Sequence, residues 1–178
     1  MFAQLDTKSV YSFMDSVVDL TTYIKRAKEL GYQALGLMDR DNLYAAYHFA
    51  QFASSNGLRP LIGMEANLFY EGRKIPFRLL AKNNQGYKNL MKLATELSSG
   101  QREFTYFSDY LNDIALIIPS EDWEPGMSLG SEVFIGVRPE DAGKEFDYPV
   151  VPLHTVRYFE NADRSTIQML HADRKSVV

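Results

Sequence analysis

The sequence contains no cysteine, which removes disulfides, thiolate zinc sites and cysteine nucleophiles together. It has 3 histidines and a single tryptophan in 178 residues, so imidazole-rich metal chemistry has little to draw on. No apolar run approaches the ~18 residues that a membrane span requires, and the N-terminus lacks a basic segment followed by an apolar one. A cytoplasmic protein with no membrane partner is therefore expected. An excess of positive charge is missing too: the net charge is -4 and the pI is about 5.4. A stand-alone nucleic-acid binder carries clustered Lys and Arg, which disfavours that class for the whole chain and leaves room only for a local basic patch.

What is present is 46% hydrophobic content, enough for one sizeable core, and a single domain over residues 1–178 is the expectation. Strand-like and helix-like patterns alternate along it. The pivotal stretch runs from Ala34 to Tyr44. Ala34 to Met38 is a short continuous apolar run, as a strand buried on both faces reads. Asp39, Arg40, Asp41 and Asn42 then supply helix N-cap candidates, and Leu43, Tyr44, Tyr47, Phe49, Ala50 and Phe52 resume at helical spacing towards Asn56 and Gly57. A strand opening into a helix is where parallel α/β folds place their sites.

Around that pivot, Phe2 to Ser9 reads as a first strand, with Asp6 and Lys8 two apart and so on one face. Asp19 to Leu30 reads as an amphipathic helix stopped by Gly31. Leu58 to Tyr70 reads as a strand carrying Glu65, and Ile75 to Lys82 as its hairpin partner across the turn Glu71-Gly72-Arg73. A helix over Asn83 to Leu97 and a helical turn over Phe104 to Leu111 follow. Strands are expected at Ile114 to Ile118, Val133 to Val137 and Pro149 to Tyr158, then a last helix from Asn161. The pattern predicts an α/β architecture with a mostly parallel sheet curled into a barrel.

Charged residues gather at strand ends: Asp6 and Lys8, Asp39 and Arg40, Glu65, and Thr155 and Arg157. Were several of them His, they would predict a multi-metal hydrolytic site. Protonated Lys and Arg instead repel a metal. Taken singly, Asp39 reads as an N-cap, and Asp6 and Lys8 as solvated charges. Arg73, Lys74 and Arg78 read as a small basic cluster on a solvated face. His48 and His171 read as packing or surface, with His154 nearer the strand ends.

Four blocks, in order, carry a family resemblance: Phe2 to Ser12, Ala34 to Leu43, Arg59 to Glu65, and Leu79 to Leu90 with its Leu-Leu-Ala-Lys-Asn-Asn-Gln-Gly-Tyr-Lys-Asn-Leu. They resemble the polymerase and histidinol phosphatase (PHP) domain, closest to the version that opens the alpha subunit of bacterial DNA polymerase III. The resemblance implies a distorted seven-stranded (β/α) barrel of the PHP type, forming the N-terminal part of a much longer chain whose polymerase modules lie elsewhere. Where intact members have a metal-binding His-x-His, this chain has Asp6-Thr7-Lys8. Their Asp-His pair is Asp39-Arg40, their Glu is retained as Glu65, a His is replaced by Pro76, and the late Asp-x-His is Thr155-Val156-Arg157.

The resemblance thus implies a degenerate metal site with no cofactor in this domain, and Mg²⁺ only for the parent polymerase. Lys8, Arg40 and Arg157 are expected to neutralise Asp6, Asp39 and Glu65 as a salt-bridge network. The implied role is structural or partner-docking, towards the remaining polymerase modules and towards proofreading or other replisome subunits, with DNA met through the parent protein. The alternative is a residual metal-dependent phosphoesterase or 3′–5′ proofreading exonuclease, holding Mg²⁺ or Mn²⁺ through Asp6, Asp39 and Glu65.

Overall fold

A computed structural model describes residues 3–130, 132–141 and 143–176. Phe2, the first residue of the expected first strand, lies outside them. Chain order is β1 (Ala3–Gln4), β2 (Asp6–Thr7), α1 (Leu20–Glu29), β3 (Ala34–Arg40), α2 (Ala46–Ser55), β4 (Arg59–Tyr70), β5 (Arg73–Ala81), α3 (Asn84–Ser98), β6 (Ile114–Pro119), β7 (Val133–Val137), β8 (Val150–Pro152), β9 (Thr155–Val156) and α4 (Asn161–Ser176). Short 3-10 turns at Phe104–Tyr110 and Pro139–Asp141 interrupt the connections.

Local chemistry sets most of these bounds. The Asp19 carboxylate accepts from the Thr22 N–H at 2.8 Å and caps α1, while Gly31 takes the left-handed conformation (φ 78°) that ends it. The Asn83 side chain accepts from Gln85 and Gly86 N–H to start α3. α2 differs from expectation. It begins at Ala46 with no side-chain cap, because Asp39 and Arg40 remain in strand β3 and Asp41 turns the chain at φ 55°.

Seven strands form one mixed sheet in the order β1-β3-β4-β5-β6-β7-β8. All its pairings are parallel except the two made by β5, which runs antiparallel to both β4 and β6. The two edges do not simply end. Edge strand β1 breaks at Leu5 and continues as β2; edge strand β8 breaks at Leu153 and His154 and continues as β9; and β2 pairs with β9 in parallel, Asp6 opposite Thr155. This small second sheet bridges the edges of the large one, so the curled sheet becomes a distorted barrel. The single strands expected over Phe2 to Ser9 and Pro149 to Tyr158 are each split in two by that bridge.

Gly36 permits the break. A Cβ there would lie 1.9 Å from the Leu5 carbonyl oxygen, so the chain crosses β3 against bare backbone. Outside the barrel, α3 and the first 3-10 turn pack Leu90, Leu93, Leu97, Phe104 and Phe107 against Met64, Leu68, Phe77 and Leu79. α1 and α2 pack Ile24, Ala27, Phe49 and Ala53 against Leu35 and Leu37. Inside, Met38, Ile117 and Leu153 form a smaller cluster. Leu5, Leu80, Phe134 and Val151 pack against it, and the buried charged residues include Asp6, Lys8, Asp39, Glu65 and Arg78.

A closed ring of ion pairs at the candidate functional site

β2, β3, β4 and β5 bring their charged residues together through register. Arg40 stands opposite Glu65 across β3 and β4, and Glu65 stands opposite Arg78 across β4 and β5. Strand pairing thus sets a cation, an anion and a cation in one row, the arrangement that neighbouring strands favour. Lys8 follows β2 and is fully buried.

The ammonium of Lys8 donates to Asp6 Oδ1 at 2.8 Å and to the Met38 carbonyl at 2.5 Å, and lies 3.0 Å from Glu65 Oε2. The first two are hydrogen bonds and the third is an ion pair, so the ammonium faces three oxygens. Arg78 makes the complementary bridge: Nε to Asp6 Oδ2 at 3.0 Å and Nη2 to Glu65 Oε2 at 3.2 Å. Asp6, Lys8, Glu65 and Arg78 therefore form a closed ring of two carboxylates and two cations. Thr155 Oγ1 adds a donor to Asp6 Oδ2 at 2.7 Å, and the Pro76 carbonyl accepts from Arg78 Nη1 at 2.6 Å.

A second tier lies nearer solvent. Arg40 Nε donates to Glu65 Oε1 at 3.0 Å and its Nη2 to Asp15 Oδ2 at 2.7 Å. Arg157 Nε reaches Asp15 Oδ1 at 3.2 Å, and His171 Nε2 lies 3.3 Å from the same oxygen. Asp39 stands apart from every cation in the ring. Its carboxylate accepts from the Ser9 N–H, the Ser9 hydroxyl and the Ser12 hydroxyl, each at 2.7 Å. Lys8, Arg40, Arg78 and Arg157 are thus matched in number by Asp6, Asp15, Asp39 and Glu65.

Burial pushes the Glu65 carboxyl up, but the charges of Lys8, Arg78 and Arg40 more than reverse this and hold it at about 2. Burial likewise opposes ionisation of Asp6, and Lys8 and Arg78 keep that carboxyl below the ordinary carboxylate range. Burial works against the Arg40 charge, yet Glu65 and Asp15 raise its pKa. Both ring carboxylates are anions at neutral pH, and each already faces three partners: Lys8, Arg78 and Thr155 for Asp6, and Lys8, Arg40 and Arg78 for Glu65.

The donor set does not fit a metal ion. Asp6 and Glu65 converge on an ammonium and a guanidinium, Asp39 is turned to the serines, and Thr155 and Arg157 supply a hydroxyl and a cation. Among the described residues, no group of three or more His, Cys, Asp or Glu side chains is placed to hold a metal.

Sequence reasoning placed Asp6, Lys8, Asp39, Arg40, Glu65, Pro76, Thr155 and Arg157 in one cleft. The structure joins all of them to the two tiers except Asp39, which is adjacent through Ser9 and Ser12, and Pro76, which contributes only its carbonyl. Arg78 and Asp15 were missed. Arg78 was assigned to a solvated face but is 6% exposed, because Ile75, Phe77 and Leu79 take the outer face of β5 and leave Arg78 pointing into the barrel. His154 has an exposed side chain, and its carbonyl accepts from Gln4 Nε2.

Among known proteins, DNA polymerase III subunit alpha of Streptococcus pyogenes serotype M1 is 45% identical to this chain over 179 residues, covering 99% of the chain and 17% of that protein. The corresponding subunit of Bacillus subtilis strain 168 is 32% identical over 126 residues, covering 67% of the chain and 11% of that protein. The chain thus spans about a sixth of the length of the first of these relatives, 17%. A solved structure from Bifidobacterium adolescentis, assigned to the metal-dependent phosphoesterases, superposes with a TM-score of 0.51 at 10% identity, covering 97% of this chain and 84% of that one. At that identity the likeness concerns the fold alone. The PHP domain family matches residues 4–124. With the bridged barrel, the register of Arg40, Glu65 and Arg78, and homology to the N-terminal region of polymerase III alpha subunits, the chain belongs to the PHP domain family.

Proposed function

We propose that this chain is the N-terminal PHP module of a cytoplasmic replicative DNA polymerase of the polymerase III alpha type, and that its role there is structural and partner-docking rather than catalytic. The parent activity is addition of deoxynucleotides to a primer, with Mg²⁺ held by modules outside this chain. The observation that carries the reading is the ring of Asp6, Lys8, Glu65 and Arg78. Lys8 sits among three oxygens at 2.5–3.0 Å, doing with one fixed positive charge what a bound cation does in a carboxylate cage. A divalent ion entering there would meet two resident cations and no free carboxylate oxygen pair.

The residual phosphoesterase reading requires Asp6, Asp39 and Glu65 to converge on Mg²⁺ or Mn²⁺. Two of them would first have to release Lys8 and Arg78, and the third its serine donors. The test is metal content after incubation with Zn²⁺, Mn²⁺ or Mg²⁺ and desalting, with isothermal titration for weakly held Mg²⁺ and a phosphodiester hydrolysis assay alongside. Less than ~0.1 equivalent of any metal and no hydrolysis are expected. Near-stoichiometric binding that Glu65→Ala or Asp39→Ala abolishes would overturn the proposal.

A further inference from the structure

The loop between β2 and α1 is fixed at its base and apolar at its tip. Its buried members are tied to the site: Ser9 and Ser12 to Asp39, Asp15 to Arg40 and Arg157, and the Ser16 hydroxyl to the Lys8 carbonyl at 2.6 Å. Between them Val10, Tyr11 and Phe13 are 52%, 48% and 83% exposed. Asn42 joins a fourth residue to this tip. Its Nδ2 donates to the Tyr11 carbonyl and its Oδ1 accepts from the Tyr44 N–H, both at 3.1 Å, and Tyr44 is 76% exposed.

Exposed apolar side chains scattered singly need no explanation, but four of them, three aromatic, on one loop tip and the turn that Asn42 joins to it make a candidate contact surface. A base held by ion pairs and serine hydrogen bonds leaves little loop entropy to lose on binding. The relative that matches 99% of this chain has 83% of its own length elsewhere, since the match covers 17% of it. In that relative most of the chain thus lies outside the region matched here. We propose that Val10, Tyr11, Phe13 and Tyr44 dock an apolar face of another module of the same polymerase chain, so that the rim of the former metal site serves as an intramolecular contact. This rests on the reading of the chain as a polymerase module.

The absence of cysteine makes single-cysteine labelling direct. Val10→Cys is compared in the 178-residue chain and in a full-length chimera where this chain replaces the matching region of the Streptococcus pyogenes subunit. Maleimide uptake at position 10 is read by peptide mass spectrometry, and Leu30→Cys, on a residue that is 68% exposed, is the control. The expected result is labelling at least ~10-fold slower at position 10 in the chimera, an unchanged rate at position 30, and recovery of the fast rate when Phe13→Asp is added. Equal rates at position 10 in an active, primer-extending chimera overturn this inference alone. Equal rates in an inactive chimera overturn it together with the polymerase reading. Protection already present in the isolated chain and lost on dilution assigns the patch to a second copy, and protection that appears only with added oligo(dT) assigns it to single-stranded DNA; either also overturns the proposal.

Discussion

Arg78 Nε donates to Asp6 Oδ2 at 3.0 Å across 72 residues of sequence, and this one bond turns a chain of ion pairs into a ring. Asp6 sits in the small bridging sheet and Arg78 in the large one, so the bond also ties the two sheets together inside the barrel. Thr155 reinforces it from β9, with its hydroxyl on Asp6 Oδ2. Electrostatics and barrel closure are therefore one feature here.

Arg78→Ala leaves Asp6 and Glu65 with one fewer cation in a dry interior, and loss of one partner of a buried pair costs roughly 3–5 kcal/mol. Arg73, five residues earlier on the same strand, pairs with Glu124 at the surface, where the two side chains are 43% and 65% exposed. Arg73→Ala is expected to cost under ~1 kcal/mol. Urea unfolding followed by circular dichroism measures both; equal costs for the two substitutions would refute the buried ring.

Two neighbouring arginines of one basic cluster thus part company, and sequence alone does not separate them. The run Ile75-Pro76-Phe77-Arg78-Leu79-Leu80 places Arg78 opposite the apolar outer face, which ordinarily means solvent. Only closure of the sheet converts that face into an interior. Asp15 carries no periodic signal either, since it lies in a loop and gains its role from Arg40 in β3, Arg157 just after β9 and His171 in α4. Arg40 and Glu65 were legible because each lies in a strand with a clear apolar run, whereas Asp6 and Lys8, which read singly as solvated charges, were legible only through the resemblance of their block to the PHP domain. The sheet edges were not. Phe2 to Ser9 and Pro149 to Tyr158 each have the composition of one strand, and their breaks come from the pairing of β2 with β9, a contact between opposite ends of the chain.

Acid should unfold this domain through the ring. Glu65 titrates at about 2 in the folded protein, against ~4.3 for an ordinary glutamate in the unfolded chain. Because the folded value is depressed, the stabilisation is fully present above the unfolded value and is lost as pH falls through the folded one. Asp6, also lowered, adds to the loss with the same sign. Stability of the wild type is expected to fall by ~3 kcal/mol between pH 5 and pH 2 from Glu65 alone. Glu65→Gln, less stable at neutral pH because Lys8, Arg40 and Arg78 lose a partner, should show a flatter profile over that range. Denaturant midpoints collected across it decide the matter, and parallel profiles for the two proteins would remove Glu65 from the acid response.

Gly36 offers a test of the barrel that leaves every charge in place. In β3 its backbone is extended, so alanine meets no conformational objection there; the objection is the Leu5 carbonyl oxygen, 1.9 Å from where the new Cβ would lie. A contact that short forces the crossing segment away from β3. That displacement pulls on Gln4 and Asp6 at either side of Leu5, and through Asp6 on the ring. The Gly36 carbonyl also accepts from the Tyr23 hydroxyl at 3.2 Å, which itself accepts from Thr7 Oγ1 at 2.9 Å, so the same shift strains the tie between α1 and β2. Gly36→Ala is therefore expected to cost at least ~3 kcal/mol, at the upper end of overpacking effects. Gly57→Ala, at a left-handed turn where a Cβ would meet nothing within 4 Å, should cost only ~1 kcal/mol from backbone strain. If the first substitution proves as mild as the second in the same unfolding measurement, the close crossing of Leu5 over β3 is not what separates β1 from β2.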